Sequence, residues 1–187
     1  MSIDIFAMQV FNGMSLFSIL LLMALGLAIV FGLMGVINMA HGELMALGAY
    51  ATYFTARFVE HYLPSLMPVY LFIAIVVAFC VTFGFGYLLE RGFIRWFYNR
   101  PLDTLLATWG LSLILQQSYR SLFGAQEVSV PLTPWLTGAW EPTAGIQLPL
   151  NRIFILGLTL LVAIGVYLIF FKTRAGLRAR AVTQNRS

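Results

Sequence analysis

Charged side chains are scarce in this sequence. Asp, Glu, Lys and Arg make up only 10% of its 187 residues, and hydrophobic residues make up 60%. A soluble domain usually carries about 25% charged residues, so the composition excludes an ordinary soluble domain and indicates a membrane protein. Lipid cannot satisfy backbone hydrogen-bonding groups, so spanning segments must be helices or a closed barrel. The apolar runs are long and unbroken, which favours helices over barrel strands.

Reactive and metal-binding residues are equally scarce. The single cysteine, Cys80, excludes a disulfide within the chain, and the two histidines, His41 and His61, are far apart with no third metal ligand in sight. The sequence contains no phosphate-binding P-loop and no Gly-x-Ser-x-Gly nucleophile elbow. We therefore predict that the protein is not an enzyme and that it holds neither a metal nor a cofactor.

Five segments are candidates for membrane spans, because a helix needs about 20 apolar residues to cross a bilayer. Four are clear, but Asn38–Ala56 is only weakly hydrophobic and follows the first run without a true loop. It either crosses as a helix broken near His41-Gly42 or enters and leaves on one side. We predict an all-α polytopic transmembrane helix bundle, a single domain over residues 1–187. The predicted spans are residues 14–37, 38–56 (broken or re-entrant), 69–89, 102–119 and 153–171.

The positive charges predict the orientation of the chain. Eight of the eleven Lys and Arg residues lie in two groups, Arg91–Arg100 and Lys172–Arg186. The positive-inside rule places both groups in the cytoplasm, and two predicted spans separate them, as this requires. Membrane orientation thus accounts for the net charge of +4, and we predict no nucleic-acid partner. The Pro-rich loop Ser121–Arg152 is then external, where it either docks a partner or forms an irregular lid.

Polar residues interrupt the apolar sequence in the second segment. Asn38 either caps a broken helix or binds a polar substrate. Residues two apart on a helix point to different faces, so His41 and Glu43 would not pair, and a hydrogen bond from His41 to nearby backbone is the favoured interpretation. A carboxylate such as Glu43 must be paired, protonated or hydrated if it lies deep in the bilayer, and costs little near the interface.

A second set of polar residues lies in the predicted fourth span. Thr104, Thr108 and Ser112 are four residues apart, so they share one helix face, which should face protein or a pore and not lipid. With the residues of the second segment they form the predicted substrate pathway. Its six members are Asn38, His41, Glu43, Thr104, Thr108 and Ser112.

Two long motifs carry a resemblance to a known family. They are Gly32–Leu44 (GLMGVINMAHGEL), followed by LGAY at residues 47–50, and Arg100–Gln117 (RPLDTLLATWGLSLILQQ). Both resemble the permeases of bacterial ABC importers for branched-chain amino acids and urea. The details Thr108-Trp109-Gly110, Gln116-Gln117 and Trp135–Glu141 are more similar to the urea permeases.

The resemblance implies a permease subunit of an ATP-driven importer that moves urea across the bacterial inner membrane. The alternative within the family is a branched-chain amino acid importer, and the alternative of another class is a passive small-solute channel. Urea is uncharged, so hydroxyl and amide groups suffice to bind it, whereas a zwitterionic amino acid requires countercharges. The implied partners are a second homologous permease subunit, two cytoplasmic ATPase subunits and a periplasmic substrate-binding protein, all assembled at the lipid bilayer.

The basic tail resembles the start of the family's cytoplasmic coupling segment, which rests on the ATPase. The residues assigned to this contact are Arg174, Arg178, Arg180 and Thr183. Family members continue through the coupling segment and several more spans, so the chain is expected to be an N-terminal portion, truncated within that segment.

Overall fold

The computed structural model describes residues 3–34, 37–97, 100–124, 126–143, 146–174 and 176–177. The chain divides into two compact units, one formed by residues 1–35 and 134–187 and the other by residues 36–133. Five long helices dominate the described residues, which makes the protein an all-α helical membrane protein, as the composition predicts. The helices are α1 (Ile3–Met34), α2 (His41–Tyr62), α3 (Tyr70–Gly92), α4 (Pro101–Phe123) and α5 (Leu150–Lys172).

Three of these helices are long and apolar enough to cross a membrane. Their apolar parts are Ile5–Gly32 in α1, Tyr70–Gly92 in α3 and Leu150–Lys172 in α5. The helices α2 and α4 are of similar length, 22 and 23 residues, but contain more polar residues. These two helices correspond to the predicted segments 38–56 and 102–119.

The first unit contains α1, α5 and a two-stranded antiparallel sheet. The strands β1 (Ala139–Thr143) and β2 (Ile146–Pro149) pair Trp140 with Leu148. The sequence predicts a long Pro-rich loop here, and prolines lack the N–H needed in a sheet interior. A two-stranded ribbon has only edges, so Pro149 is tolerated opposite Ala139. The hairpin then leads directly into α5.

The second unit contains α2, α3 and α4. Short 3-10 helices connect them, Pro64–Leu66 between α2 and α3, and Ile94–Phe97 between α3 and α4. The core of this unit consists of small residues around one aromatic ring. Its fully enclosed members, from α2 and α3, are Ala56, Val59, Tyr70 and Ala74. The Tyr70 hydroxyl donates a hydrogen bond to the Pro131 carbonyl, which ties the segment after α4 to the start of α3.

Gly48 lies where α2 packs against α3. A Cβ atom at this position would lie 3.4 Å from the Thr82 hydroxyl oxygen, so there is room for a methyl group but for little more. We expect Gly48→Val to destabilise the unit by about 1–3 kcal/mol through overpacking. Gly84→Val is the matched control, because a Cβ at Gly84 on α3 would meet no atom within 4 Å. Thermal unfolding midpoints of the purified variants measure the difference, and equal midpoints would contradict the close packing at Gly48.

Candidate polar site at the start of α2

The segment Ile37–Ala40, here called the α2 break, is non-helical and leads into α2 at His41. Asn38 organises it. The Asn38 side-chain oxygen accepts a hydrogen bond from the backbone N–H of Ala40 at 3.0 Å, a local turn that Asn commonly forms. The Asn38 carbonyl accepts a further bond, at 3.4 Å, from the backbone N–H of His41. The acceptors of Asn38 are therefore used to shape the chain.

Thr108 of α4 holds the α2 break in place. Its hydroxyl accepts a hydrogen bond from the backbone N–H of Met39 at 3.2 Å, and donates to the Leu105 carbonyl of its own helix at 3.1 Å. The Ile37 carbonyl lies 3.5 Å from the same oxygen. Thr108 is completely buried. The Thr108 hydroxyl of α4 thus provides a hydrogen-bond partner for the backbone of the α2 break, which lies outside any helix.

Thr104 is also buried but serves the start of α4. Its hydroxyl lies 2.8 Å from the Phe97 carbonyl and 2.9 Å from the Arg100 carbonyl. These contacts fasten the first turn of α4 to the 3-10 helix before it. The hydroxyl hydrogen of Thr104 is therefore committed to backbone acceptors.

The other predicted residues meet around one carboxylate. The Glu43 oxygen Oε1 accepts hydrogen bonds from the Ser112 hydroxyl at 3.2 Å and from the Gln116 amide nitrogen at 2.7 Å. The Tyr119 hydroxyl donates to the Glu43 backbone carbonyl at 3.0 Å. We call Glu43, Ser112, Gln116 and Tyr119 the Glu43 cluster. It joins the first turn of α2 to the middle and second half of α4.

Glu43 carries no ion pair with any residue that the structure describes. Ion pairs in that part of the chain include Arg57–Glu60 and Arg100–Asp103, at 3.5 and 3.7 Å. Glu43 is half-buried, Ser112 is buried and Gln116 is exposed, so the cluster is open on one side. The carboxylate lies in the first turn of α2, where the helix dipole favours a negative charge.

The Glu43 cluster lies about halfway along α4. Ser112 is eleven residues after Pro101, which corresponds to about 17 Å of helix rise. Aromatic contacts continue the same pairing, with the rings of Tyr50 and Phe123 stacked at 4.1 Å. Residue numbers rise together along this contact, so α2 and α4 run in the same direction. The first turn of α2 therefore lies beside the middle of a neighbouring helix, and not beside its end.

The structure brings Asn38, Glu43, Thr108 and Ser112 into one region of the second unit, whereas Thr104 lies one turn before Thr108. His41 is half-buried, and its imidazole has no hydrogen-bond partner among the residues described. Gln116 and Tyr119 also belong to the site, although they are not among the residues predicted from the sequence. Gln116 continues the four-residue spacing from Ser112, so the same periodicity could have identified it.

The predicted ATPase-coupling residues fall at the end of the chain. Arg174 is exposed just after α5, and Arg178, Arg180 and Thr183 lie outside the described residues.

Residues 9–187 match the family described as the branched-chain amino acid transport system permease component. The chain belongs to this family. The match supports the coarser part of the resemblance stated from the sequence, a permease of this transporter family, and gives no support to urea specificity.

Individual relatives in the family have the same description. The chain is 29% identical, over 180 residues, to the high-affinity branched-chain amino acid transport system permease protein BraD of Pseudomonas aeruginosa. It is 27% identical, over 187 residues, to the LivH permease proteins of Salmonella typhimurium and Escherichia coli K12. These alignments cover 95–96% of the chain but 59% of each relative. No solved structure matches the chain. The relatives are transport permeases and not enzymes.

Proposed function

We propose that this chain is part of the membrane permease subunit of an ATP-driven importer for branched-chain amino acids. The observation that carries the proposal is the family match over residues 9–187. The relatives are named for branched-chain amino acid transport, so this substrate class replaces urea, the first prediction from the sequence. Leucine and urea are therefore the two substrates that an uptake experiment must distinguish.

The proposed assembly contains a second homologous permease subunit, two cytoplasmic ATPase subunits and a periplasmic substrate-binding protein in the inner membrane. Transport then follows from alternating access, in which ATPase states favour different permease conformations. The six predicted pathway residues take two roles in this proposal. Thr104, Thr108 and Asn38 fix the backbone around the α2 break, whereas Glu43, Ser112 and His41 remain candidates for polar groups along the pathway.

Uptake by the complete importer tests the substrate assignment. The full-length permease is expressed with its partner subunits in cells that lack their own leucine and urea importers. We expect uptake of labelled leucine, isoleucine and valine above the empty-vector level, and no uptake of labelled urea. Urea uptake without leucine uptake would overturn the assignment.

The energy dependence of uptake tests the alternative that the protein is a passive small-solute channel. Leucine uptake by an importer should stop when ATP is depleted, and should stop equally when the ATPase subunits are omitted. A passive channel would continue to equilibrate its solute under both conditions, and such continued flux would replace the importer by a channel.

A further inference from the structure

The Glu43 carboxylate is a charged group at the contact between α2 and α4 in the second unit. One of its oxygens receives the hydrogen bonds of Ser112 and Gln116, and no cation among the described residues pairs with it. A partly buried carboxylate without an ion pair is stabilised by a proton, by water or by a cation. Because the cluster is open at the exposed Gln116, a cation of small size can reach it from outside the unit.

An apolar cavity begins one helical turn beyond this carboxylate. It has a volume of about 350 Å³ and lies among α2, α3 and α4 within the second unit; its lining includes Leu47, Tyr50, Val77, Val81, Tyr119 and Phe123. Leu47 is four residues after Glu43, so the two share a face of α2 at a separation of about 6 Å along the axis. Tyr119 connects the two features, because its hydroxyl binds the Glu43 carbonyl and its side chain lines the cavity.

We propose that Glu43 binds the α-ammonium group of an aliphatic amino acid whose branched side chain occupies this apolar cavity. The inference rests on the proposed function and assigns a substrate subsite within it. An ammonium group has three N–H donors, and the second carboxylate oxygen of Glu43 accepts no hydrogen bond from the described residues. The hydrogen bonds of Ser112 and Gln116 to Oε1 orient the carboxylate, so its second oxygen can accept a hydrogen bond from the ammonium group. The negative charge of Glu43 and the apolar lining of the cavity together select an amine that carries a hydrocarbon chain.

Urea and a lipid acyl chain, two other candidate occupants of the site, each lack a chemical group that the site would bind. Urea has no charge for Glu43 to balance and no hydrocarbon to fill the cavity. A lipid acyl chain fills the cavity but has no ammonium group. Both can therefore be distinguished from an amino acid by removing one chemical group at a time from the ligand.

Direct binding to the purified importer in nanodiscs, with the full-length permease and without the substrate-binding protein, tests the inference. Labelled leucine is displaced by 3-methylbutylamine, which lacks the carboxylate, by 4-methylpentanoate, which lacks the ammonium group, or by urea. We expect the amine to compete well and the acid and urea to compete poorly. Equal competition by the amine and the acid would overturn the role of the charge.

The variant Glu43→Gln keeps the size of the side chain and removes its charge. We expect at least about tenfold weaker binding of leucine and of 3-methylbutylamine, since a hydrogen bond to a charged group is lost, with unchanged binding of 4-methylpentanoate. Glu60→Gln is the matched control, because it makes the same change on the same helix at an exposed carboxylate paired with Arg57. A merely structural Glu43 would lower the binding of all ligands alike, or of none, and either result overturns the inference.

If Glu43→Gln does not fold, Glu43→Asp keeps the charge on a shorter side chain, and should weaken leucine binding while preserving the preference for the amine over the acid. Loss of that preference contradicts the inference. Leucine uptake by the wild type together with unchanged binding by Glu43→Gln removes the subsite and leaves the proposed function. A wild type that neither binds nor imports leucine removes both.

Discussion

Replacing Thr108 by valine should destabilise the permease by about 1–3 kcal/mol, the cost of leaving a buried polar group unsatisfied. The change is nearly isosteric, so packing alone predicts a small effect. The hydroxyl, however, is the acceptor for the backbone N–H of Met39 at 3.2 Å. Within a membrane protein there is little water to replace it. The α2 break should therefore lose its anchor to α4, and the proposed leucine uptake should fall with it.

Thr159→Val provides the matched control for this prediction. Thr159 on α5 is also buried, at 4% exposure, but its hydroxyl donates only to the Ile155 carbonyl of its own helix, at 2.8 Å. That carbonyl also accepts an N–H bond of the helix, so Thr159→Val leaves no partner unsatisfied. Loss of the Thr159 hydroxyl should therefore cost only about 0.5 kcal/mol. Unfolding of the two purified full-length variants measures the difference. If both variants unfold like the wild type, Thr108 does not anchor the break.

The contrast between the two threonines explains what a hydroxyl does in an apolar helix. Mid-helix Ser and Thr commonly bond to the carbonyl one turn back, as Thr55 does with Ala51 at 2.8 Å. The hydroxyls of such residues form their hydrogen bond within their own helix and need no partner on a neighbouring helix. Thr108 and Ser112 differ because their oxygens also meet groups 69 residues away in sequence. Long-range contacts of this kind mark the polar site of the second unit.

The sequence predicts the helical class and the buried stripe of α4 for physical reasons. Lipid leaves helices as the main option for long apolar runs, and a four-residue spacing places Thr104, Thr108 and Ser112 on one face. All three are buried in the structure. Their partners could not be predicted, because nothing in the local sequence specifies that Ser112 meets Glu43 across 69 residues.

Helix ends were less predictable than helix cores. The apolar run of the second segment stops at Arg57, but α2 continues to Tyr62. Within the helix the Arg57 guanidinium lies 3.3 Å from the Tyr53 hydroxyl and 3.5 Å from the Glu60 carboxylate. Such pairs three and four residues apart stabilise a helix modestly. Similarly, α4 passes Arg120 and ends before Gly124, whose φ of 83° suits glycine. Apolarity indicates which part of a helix is immersed, whereas turn chemistry decides where the helix ends.

The hairpin of the first unit shows a different limit. Four prolines within Ser121–Arg152 favour irregular structure, yet residues 139–143 and 146–149 form paired strands. Proline is unfavourable where a ladder needs its N–H, and harmless at an edge facing away from the partner. Composition cannot distinguish these two cases, because the distinction depends on pairing.

Replacing Ala56 by leucine should be the most damaging change in the contact between α2 and α3. Ala56 is completely buried, and it belongs to a core formed with Val59, Tyr70 and Ala74. Three additional carbon atoms have no space there unless the helices separate. Overpacking of this kind costs about 1–3 kcal/mol, and the pair α2–α3 has small residues on both sides that cannot move aside.

The control is Ala49→Leu, which introduces the same side chain one heptad earlier on α2, at an exposed position. Both changes alter helix propensity equally, so only burial differs between them. We expect the thermal unfolding midpoint to fall for Ala56→Leu and to stay near that of the wild type for Ala49→Leu. Equal midpoints would show that the two helices do not pack at Ala56. A selective fall would show that this half of α2 is fixed by its packing against α3.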